Sequence, residues 1–279
     1  MPDRTGTILV TGATGTTGSR VVAALEASGR PVRSASRTAP VPFDWYDPAT
    51  HDAALAGAEA VYLVPPVGAT DPGTVMLPFL TRARSAGVRR AVLLSSSPIE
   101  PGGPATGPVH AALPGEFEEW AVLRPSWFMQ NFTGNHLQAE SARTHGEIVS
   151  ATDGARVGFI DADDIAAVAA HALTTPEPPN TDWILTGPEA LSYDDIARTL
   201  TEVTGRTVRH HALTAEELQA RWVRELPADF AQILADVDRA IAAGAEDRVT
   251  DAVARLTGRA PRSFADHVRA AADTRSAPA

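Results

Sequence analysis

Cysteine is absent from the 279 residues. Its absence excludes disulfides, a thiolate nucleophile and cysteine-ligated metal sites together. Lysine is absent too: all 24 cationic side chains are arginine, so any mechanism that needs a lysine amine is ruled out. Tyrosine occurs only at positions 46, 62 and 193. There is no run of about 20 apolar residues to cross a bilayer, and the first apolar run, Ile8-Leu-Val10, is too short for a signal peptide. No basic block occurs and the net charge is −10. Polyphosphate binding needs clustered cations, so a nucleic-acid partner is not expected. The acidity is read as serving solubility. No Gly-x-Ser-x-Gly nucleophile turn is present, which argues against a hydrolase. The eight histidines show no His-Glu-x-x-His spacing, and no metal is expected. Together these absences fit a cytoplasmic protein without a membrane segment.

What is present is a Gly-rich turn, Gly12-Ala-Thr-Gly15-Thr-Thr-Gly18, between a predicted strand at Thr7 to Thr11 and a predicted helix at Thr16 to Ser28. In that setting Gly12 permits a tight turn, and Gly15 lets the backbone approach a pyrophosphate. Gly18 lets the helix pack close on the strand. The helix N-terminus adds N–H groups and a partial positive charge. A glycine turn with no ligand is the alternative. NAD-type sites carry Asp or Glu about 20 residues past the motif, for the ribose 2′-hydroxyl. Here the end of the second strand reads Ser34-Ala-Ser36-Arg37. An arginine there suits a 2′-phosphate, with Ser34 and Ser36 as further hydrogen-bonding groups. A solvated surface arginine is the alternative. The expected cofactor is NADP(H).

Further strands are predicted at Pro31 to Ser36, Ala60 to Val64, Ala91 to Ser95 and Ala121 to Arg124, with a crossover helix at Thr74 to Ala86. This alternation predicts an α/β fold, a Rossmann-type doubly wound parallel sheet, over residues 1–175. Beyond the stiff Pro176-Glu-Pro-Pro179 the chain is expected to form a smaller, helix-rich C-terminal substrate-side domain over 176–279, with a strand at Asp182 to Thr186. Ser192 is the expected N-cap of a helix there, and Tyr193 is read as interdomain packing. Asp161, Asp163 and Asp164 are read as capping the following helix. His210 and His211 are expected on opposite faces of a strand. Arg275 to Ala279 is expected to be disordered.

The G-x-x-G-x-x-G spacing resembles the atypical short-chain dehydrogenase/reductases. The stretches Phe43-Asp-Trp45-Tyr-Asp47-Pro-Ala-Thr50, Val61-Tyr-Leu-Val-Pro-Pro66, Leu94-Ser-Ser96, Leu123-Arg-Pro-Ser-Trp-Phe-Met-Gln-Asn131-Phe132 and Thr257-Gly-Arg-Ala-Pro-Arg-Ser-Phe264 resemble the NmrA-like family. Within it they are most similar to ergot-alkaloid-type (festuclavine dehydrogenase-like) NAD(P)-binding reductases. The likeness runs along nearly the whole chain. It implies that Gly12, Thr14, Gly15, Thr16, Thr17 and Gly18 face the pyrophosphate and that Arg37 meets the adenosine phosphate. It implies Val64 and Pro65 on the adenine-ribose side, and Ser95 and Ser96 near the nicotinamide ribose. Pro125 and Ser126 would pass by the nicotinamide with Trp127, while Trp127, Phe128, Gln130 and Asn131 would meet a small-molecule substrate.

Typical short-chain dehydrogenases use a Tyr-x-x-x-Lys pair, whose lysine lowers the tyrosine pKa. This chain has no lysine and no tyrosine between 63 and 192, so that apparatus is missing. The helix expected to carry the pair begins at Val109-His-Ala-Ala-Leu113, and Pro114 is expected to end it near Leu113. Hydride delivery to an already activated acceptor, such as an iminium, a quinone or a conjugated carbonyl, needs little acid catalysis. Alternatively His110 supplies the proton; His110 and Asn131 are the catalytic candidates. Three readings stand: an NADPH-dependent reductase in secondary metabolism, a non-redox cyclase or isomerase on the same fold, and a cofactor-sensing regulator in the manner of NmrA. The Trp127–Asn131 stretch favours an enzyme.

Overall fold

The computed structural model describes residues 6–276. It contains strands β1 (Thr7–Thr11), β2 (Val32–Ser36), β3 (Val41–Pro42), β4 (Ala58–Leu63), β5 (Arg90–Leu94), β6 (Glu119–Pro125), β7 (Glu147–Ser150), β8 (Thr181–Leu185) and β9 (Arg209–Ala212). Seven of them form one parallel sheet in the order β3-β2-β1-β4-β5-β6-β8. The central strands β1, β4 and β5 are mostly apolar because helices cover both faces: Leu9, Val10, Val61, Leu63 and Leu93 are wholly buried, as is Val122 of β6. From β1 the order runs one way through β2 and β3 and the other way from β4 onward. The switch point, where ligands bind in such sheets, therefore lies between β1 and β4.

The chain divides into two units, and neither is a single stretch. The first holds the residues up to Pro125, then Ala162–Leu185 and Arg255–Gly258; the second holds Ser126–Asp161, Thr186–Ala254 and the residues from Arg259 on. This differs from a single cut at residue 175. After β6 the chain leaves the sheet for 36 residues, Ser126–Asp161. It returns through the helix Ala162–Thr174 and sets β8 beside β6, with Ala121 opposite Thr181 and Pro125 opposite Leu185. The strand expected in the second domain is thus the last strand of the first. Two buried arginines brace this return. Arg90 pairs with Glu119 at 2.6 Å and donates to the carbonyls of Ala172 and Thr175. Arg124 binds Asp182 at 2.8 Å, the Ser97 carbonyl and Glu100.

Local signals held where they were strongest. The helix Gly18–Ala27 is followed by Gly29 at φ +71°, the left-handed position that favours glycine after a helix. Pro114 does not end its helix, which runs from Gly107 to Glu116. The proline sits in the last turn, where its missing N–H deprives only the His110 carbonyl of a helical donor, and Phe117 N–H closes the end on Leu113 O at 2.9 Å.

The second unit pairs β7 with β9 in parallel and packs helices around them. Ser192 caps the helix Tyr193–Thr204 in a reciprocal arrangement with Asp195. Tyr193 packs edge-on against Phe132 and Phe159 in this unit's own core. His210 and His211 do face opposite ways, with side chains 3% and 53% exposed. The last helix, Phe264–Ser276, includes Arg275, which was expected to be disordered; residues 277–279 lie outside the described residues.

Candidate nucleotide-binding site

At the end of β1 the wholly buried Thr11 bridges to β4. Its hydroxyl donates to Tyr62 O at 3.0 Å and accepts from Val64 N–H at 2.9 Å. Gly12 then turns the chain at φ +60°, and a Cβ there would meet the Val64 Cβ at 3.0 Å. Gly15 N–H closes the turn on Gly12 O at 2.9 Å. Gly18 opens the helix so close to the strand that an added Cβ would lie 2.1 Å from Gly12 O. The three glycines therefore have three separate reasons: a left-handed turn, a bare outer face and a helix pressed on its strand. The N-terminus of the helix Gly18–Ala27 carries no acidic residue in its first turn, so its positive end is left for an anion.

Around this turn lies a cavity of about 600 Å³ lined by Gly12, Thr14, Gly15, Ser36–Thr38, Phe43–Tyr46 and Val64–Val67. Seven of the expected nucleotide residues meet there: Gly12, Thr14, Gly15, Ser36, Arg37, Val64 and Pro65. Thr14 donates to the buried Ser36 hydroxyl at 3.2 Å, which joins the turn to the end of β2. Arg37 is exposed at the cavity and has no ion pair among the described residues. Thr16, Thr17 and Gly18 complete the turn without lining the cavity. Ser34 lies within β2 opposite Val10 and does not reach it.

Phe43, Asp44, Trp45 and Tyr46 were noted as a family-like stretch but not as site residues, yet they form one wall of the cavity. Trp45 Nε1 donates to Val64 O at 3.0 Å, and its ring stands edge-on to Phe43 and Phe79. His51 holds the loop from below through the Asp44 carbonyl at 2.9 Å. The signal available was three aromatics, Phe43, Trp45 and Tyr46, set among Asp44 and Asp47; nothing in their spacing says that the loop folds back over the switch point.

The other expected residues lie elsewhere. Ser95 shares a hydrogen bond of 2.8 Å with Thr106, and Pro125 O accepts from Ser97 N–H. Ser96 is half-buried at the end of β5. His110 is 3% exposed and 6.4 Å from the Trp120 ring. Burial holds its imidazole below the usual range, so the ring is neutral at neutral pH. Its place in this packing does not join it to the cavity residues. Tyr62 and Tyr193 are buried, and burial pushes both phenols up, away from neutrality.

In the second unit, Ser126 is buried and donates to Glu246 at 3.2 Å. Trp127 O accepts from Ile160 N–H, and the one-turn helix Met129–Phe132 follows. Trp127, Phe128, Gln130 and Asn131 are half-buried, while Phe132 belongs to the core. Gln130 is held by Asp161 at 2.8 Å.

The sheet, its switch point and the glycine turn define a dinucleotide-binding α/β protein. The NmrA-like family model matches residues 119–255. The uncharacterized oxidoreductase YesF of Bacillus subtilis (strain 168) is 45% identical over 271 residues, covering 94% of each chain. Agroclavine dehydrogenase of Claviceps fusiformis is 41% identical over 279 residues, covering 94% of this chain and 96% of that one. The NADPH-dependent quinone oxidoreductase QOR2 of Escherichia coli, solved with NADPH, superposes with a TM-score of 0.76 at 22% identity over 94% of this chain and 98% of that chain; this is a likeness of fold. The chain belongs to the NmrA-like family.

Proposed function

We propose that this chain is an NADP(H)-dependent reductase that delivers hydride to an activated small metabolite, an iminium, a quinone or a conjugated carbonyl, without a Tyr-Lys pair. The observation that carries the reading is the position of Arg37. It stands on the cavity beside the glycine turn, where an NAD-type site would place a carboxylate. An oxidoreductase is what the relatives at 41% and 45% identity are named, one of them a dehydrogenase of agroclavine.

In this reading the Gly12–Gly18 turn and the helix behind it hold the pyrophosphate. Arg37 and Ser36 hold the 2′-phosphate, and Val64, Pro65 and Trp45 pack the adenosine. The bound nicotinamide supplies hydride. Trp127, Phe128, Gln130 and Asn131 orient the acceptor, and their half-buried aromatic and amide groups suit a flat, weakly polar molecule. With no lysine in the chain, no side-chain amine can activate a carbonyl as a Schiff base, which favours an acceptor that arrives already activated.

Titration of the purified protein with NADPH, NADP⁺ and NADH, followed by nucleotide fluorescence, tests this. Tight NADPH with NADH weaker by about tenfold or more supports it. Equal affinities would remove the role given to Arg37, and no binding would remove the cofactor.

A further inference from the structure

The second unit carries a cavity that the nucleotide reading does not use. At about 790 Å³ it is larger than the one beside the glycine turn, and the two share no residue. It is bounded by the helix Leu137–Thr144, the start of β7, the helix Ala215–Trp222 and the turn that follows. Every residue that lines it belongs to this one unit. Its apolar part is Trp222, 7% exposed, with the half-buried Leu137 and Leu213. These three pack in a small apolar cluster with Val149 and Leu218, so the wall they form is backed from behind.

The charged lining divides into satisfied and unsatisfied groups. Glu147 accepts from Arg221 Nη2 at 2.6 Å and lies 3.5 Å from His211 Nε2. The hydrogen bond from Arg221 holds its carboxyl below the usual range. Arg221 also reaches the buried Ser141 hydroxyl at 3.4 Å, which ties the two helices together across β7. Glu217 accepts from Thr214 N–H at 2.8 Å and closes the cap of its helix. Glu140 and Glu225 differ. They come from opposite walls, both are exposed, and neither has an ion pair among the described residues.

The lining holds four glutamates against two arginines and one histidine, so it stays acidic whichever state the histidine takes. Among the described residues no three carboxylates or imidazoles converge as a metal ion needs. Separate carboxylates around an apolar wall instead match a cation that carries its own apolar body. The carboxylates meet the ammonium, the body covers the leucines, and a cation beside an indole gains further attraction. An anion of the same shape is repelled. A cation without the body leaves the wall wet.

We propose that this cavity binds a small organic amine cation with a flat apolar body, its ammonium drawn to Glu140 and Glu225 and its body laid against Trp222, Leu137 and Leu213. The volume is that of a small-ligand site. The site is separate from the nucleotide cavity, and the inference stands whether or not the chain is a reductase.

Isothermal titration of the nucleotide-free protein at neutral pH and low salt tests it, with naphthylethylamine as the probe. Naphthylacetate keeps the ring and reverses the charge; butylamine keeps the charge and lacks the ring. We expect a Kd below about 1 mM for naphthylethylamine, with the other two weaker by about tenfold or more. Glu140→Gln and Glu225→Gln should each weaken it by about two- to fivefold, and together by about tenfold. Ala220 is an exposed lining residue. Ala220→Trp keeps both carboxylates, fills the space and should abolish binding. These positions are exposed, so each variant should keep the parent's Tm to within about 3 °C. No binding of naphthylethylamine to the parent protein, equal binding of naphthylacetate, or unchanged affinity in the double glutamine variant or in Ala220→Trp overturns the site.

Discussion

Trp45 donates its indole N–H to the carbonyl of Val64 at 3.0 Å, and through that bond the loop that follows β3 is tied to the end of β4. Both residues line the cavity beside the glycine turn. Trp45→Phe keeps the ring packing on Phe43 and Phe79 but leaves the carbonyl without its donor. We expect a loss of about 1 kcal/mol, a fall in Tm of roughly 2–4 °C, and a several-fold rise in Kd for NADPH. Trp45 is 8% exposed and faces the ligand side. Nucleotide quenching of tryptophan emission should therefore drop sharply in the variant; an unaltered quench would show that the loop takes no part in binding.

Arg37→Asp reverses the charge that discriminates between the two nucleotides. The Kd for NADPH should rise roughly ten- to hundredfold, the range of one charge-assisted contact, with NADH changed by no more than about threefold. The NADPH preference of the parent protein should also shrink as salt is raised, because an exposed guanidinium is screened. Isothermal titration at two ionic strengths reads both effects.

Two glycine substitutions separate close packing from backbone strain. At Gly18 an added methyl would lie 2.1 Å from the Gly12 carbonyl oxygen, a backbone atom that cannot move without opening the turn. Gly18→Ala should destabilise by on the order of 3 kcal/mol and abolish nucleotide binding. Gly29, at φ +71°, has nothing within 4 Å of the same methyl. Gly29→Ala should lose only about 1 kcal/mol and bind NADPH as before. Urea unfolding with parallel titrations distinguishes the two, and equal behaviour would contradict the packing argument.

Asp238 predicts a pH dependence of stability. Its side chain accepts from Ala151 N–H at 2.8 Å, but burial dominates and pushes its carboxyl up to about 6 from 3.8. A carboxyl raised in the folded state favours folding when protonated. Its contribution is full below about pH 4 and is lost as pH rises through about 6, a change of roughly 3 kcal/mol at most. Asp238→Asn keeps an oxygen for the amide and cannot ionise. The variant should melt higher than the parent at pH 8 and close to it at pH 4; no difference at pH 8 would mean that the buried carboxylate has found compensation.

The parts of the fold that sequence made legible are those written in local pattern. β1 lies at Thr7–Thr11 as expected, because an apolar run ending in the glycine turn admits little else. The helix after Ser192 begins where its capping residue stands. What was misread depends on contacts between distant segments. β8 was assigned to the second domain because Pro176-Glu-Pro-Pro179 looks like a linker, although hydrogen bonding to β6 returns it to the sheet. Asp161, read as a cap, stands one residue before a helix, and that reading says nothing of its long-range ion pairs. Its partners Arg262 and His267 come from about a hundred residues later, and no periodicity announces them. The glycine turn of the candidate site was legible for the same reason as β1, while its Phe43–Tyr46 wall was not.

The late arrival of β8 has a consequence for biosynthesis. While the protein leaves the ribosome, β6 is complete at Pro125, yet its neighbour ends only at Leu185. At about 5–20 residues per second the nascent chain spends several seconds with an open, apolar strand edge. A fragment ending at residue 175 would keep that edge for good and should aggregate, whereas one ending beyond β8 has the strand that covers it. The order of strands thus sets a point during translation before which chaperoning of the nascent chain matters most and after which the sheet protects itself.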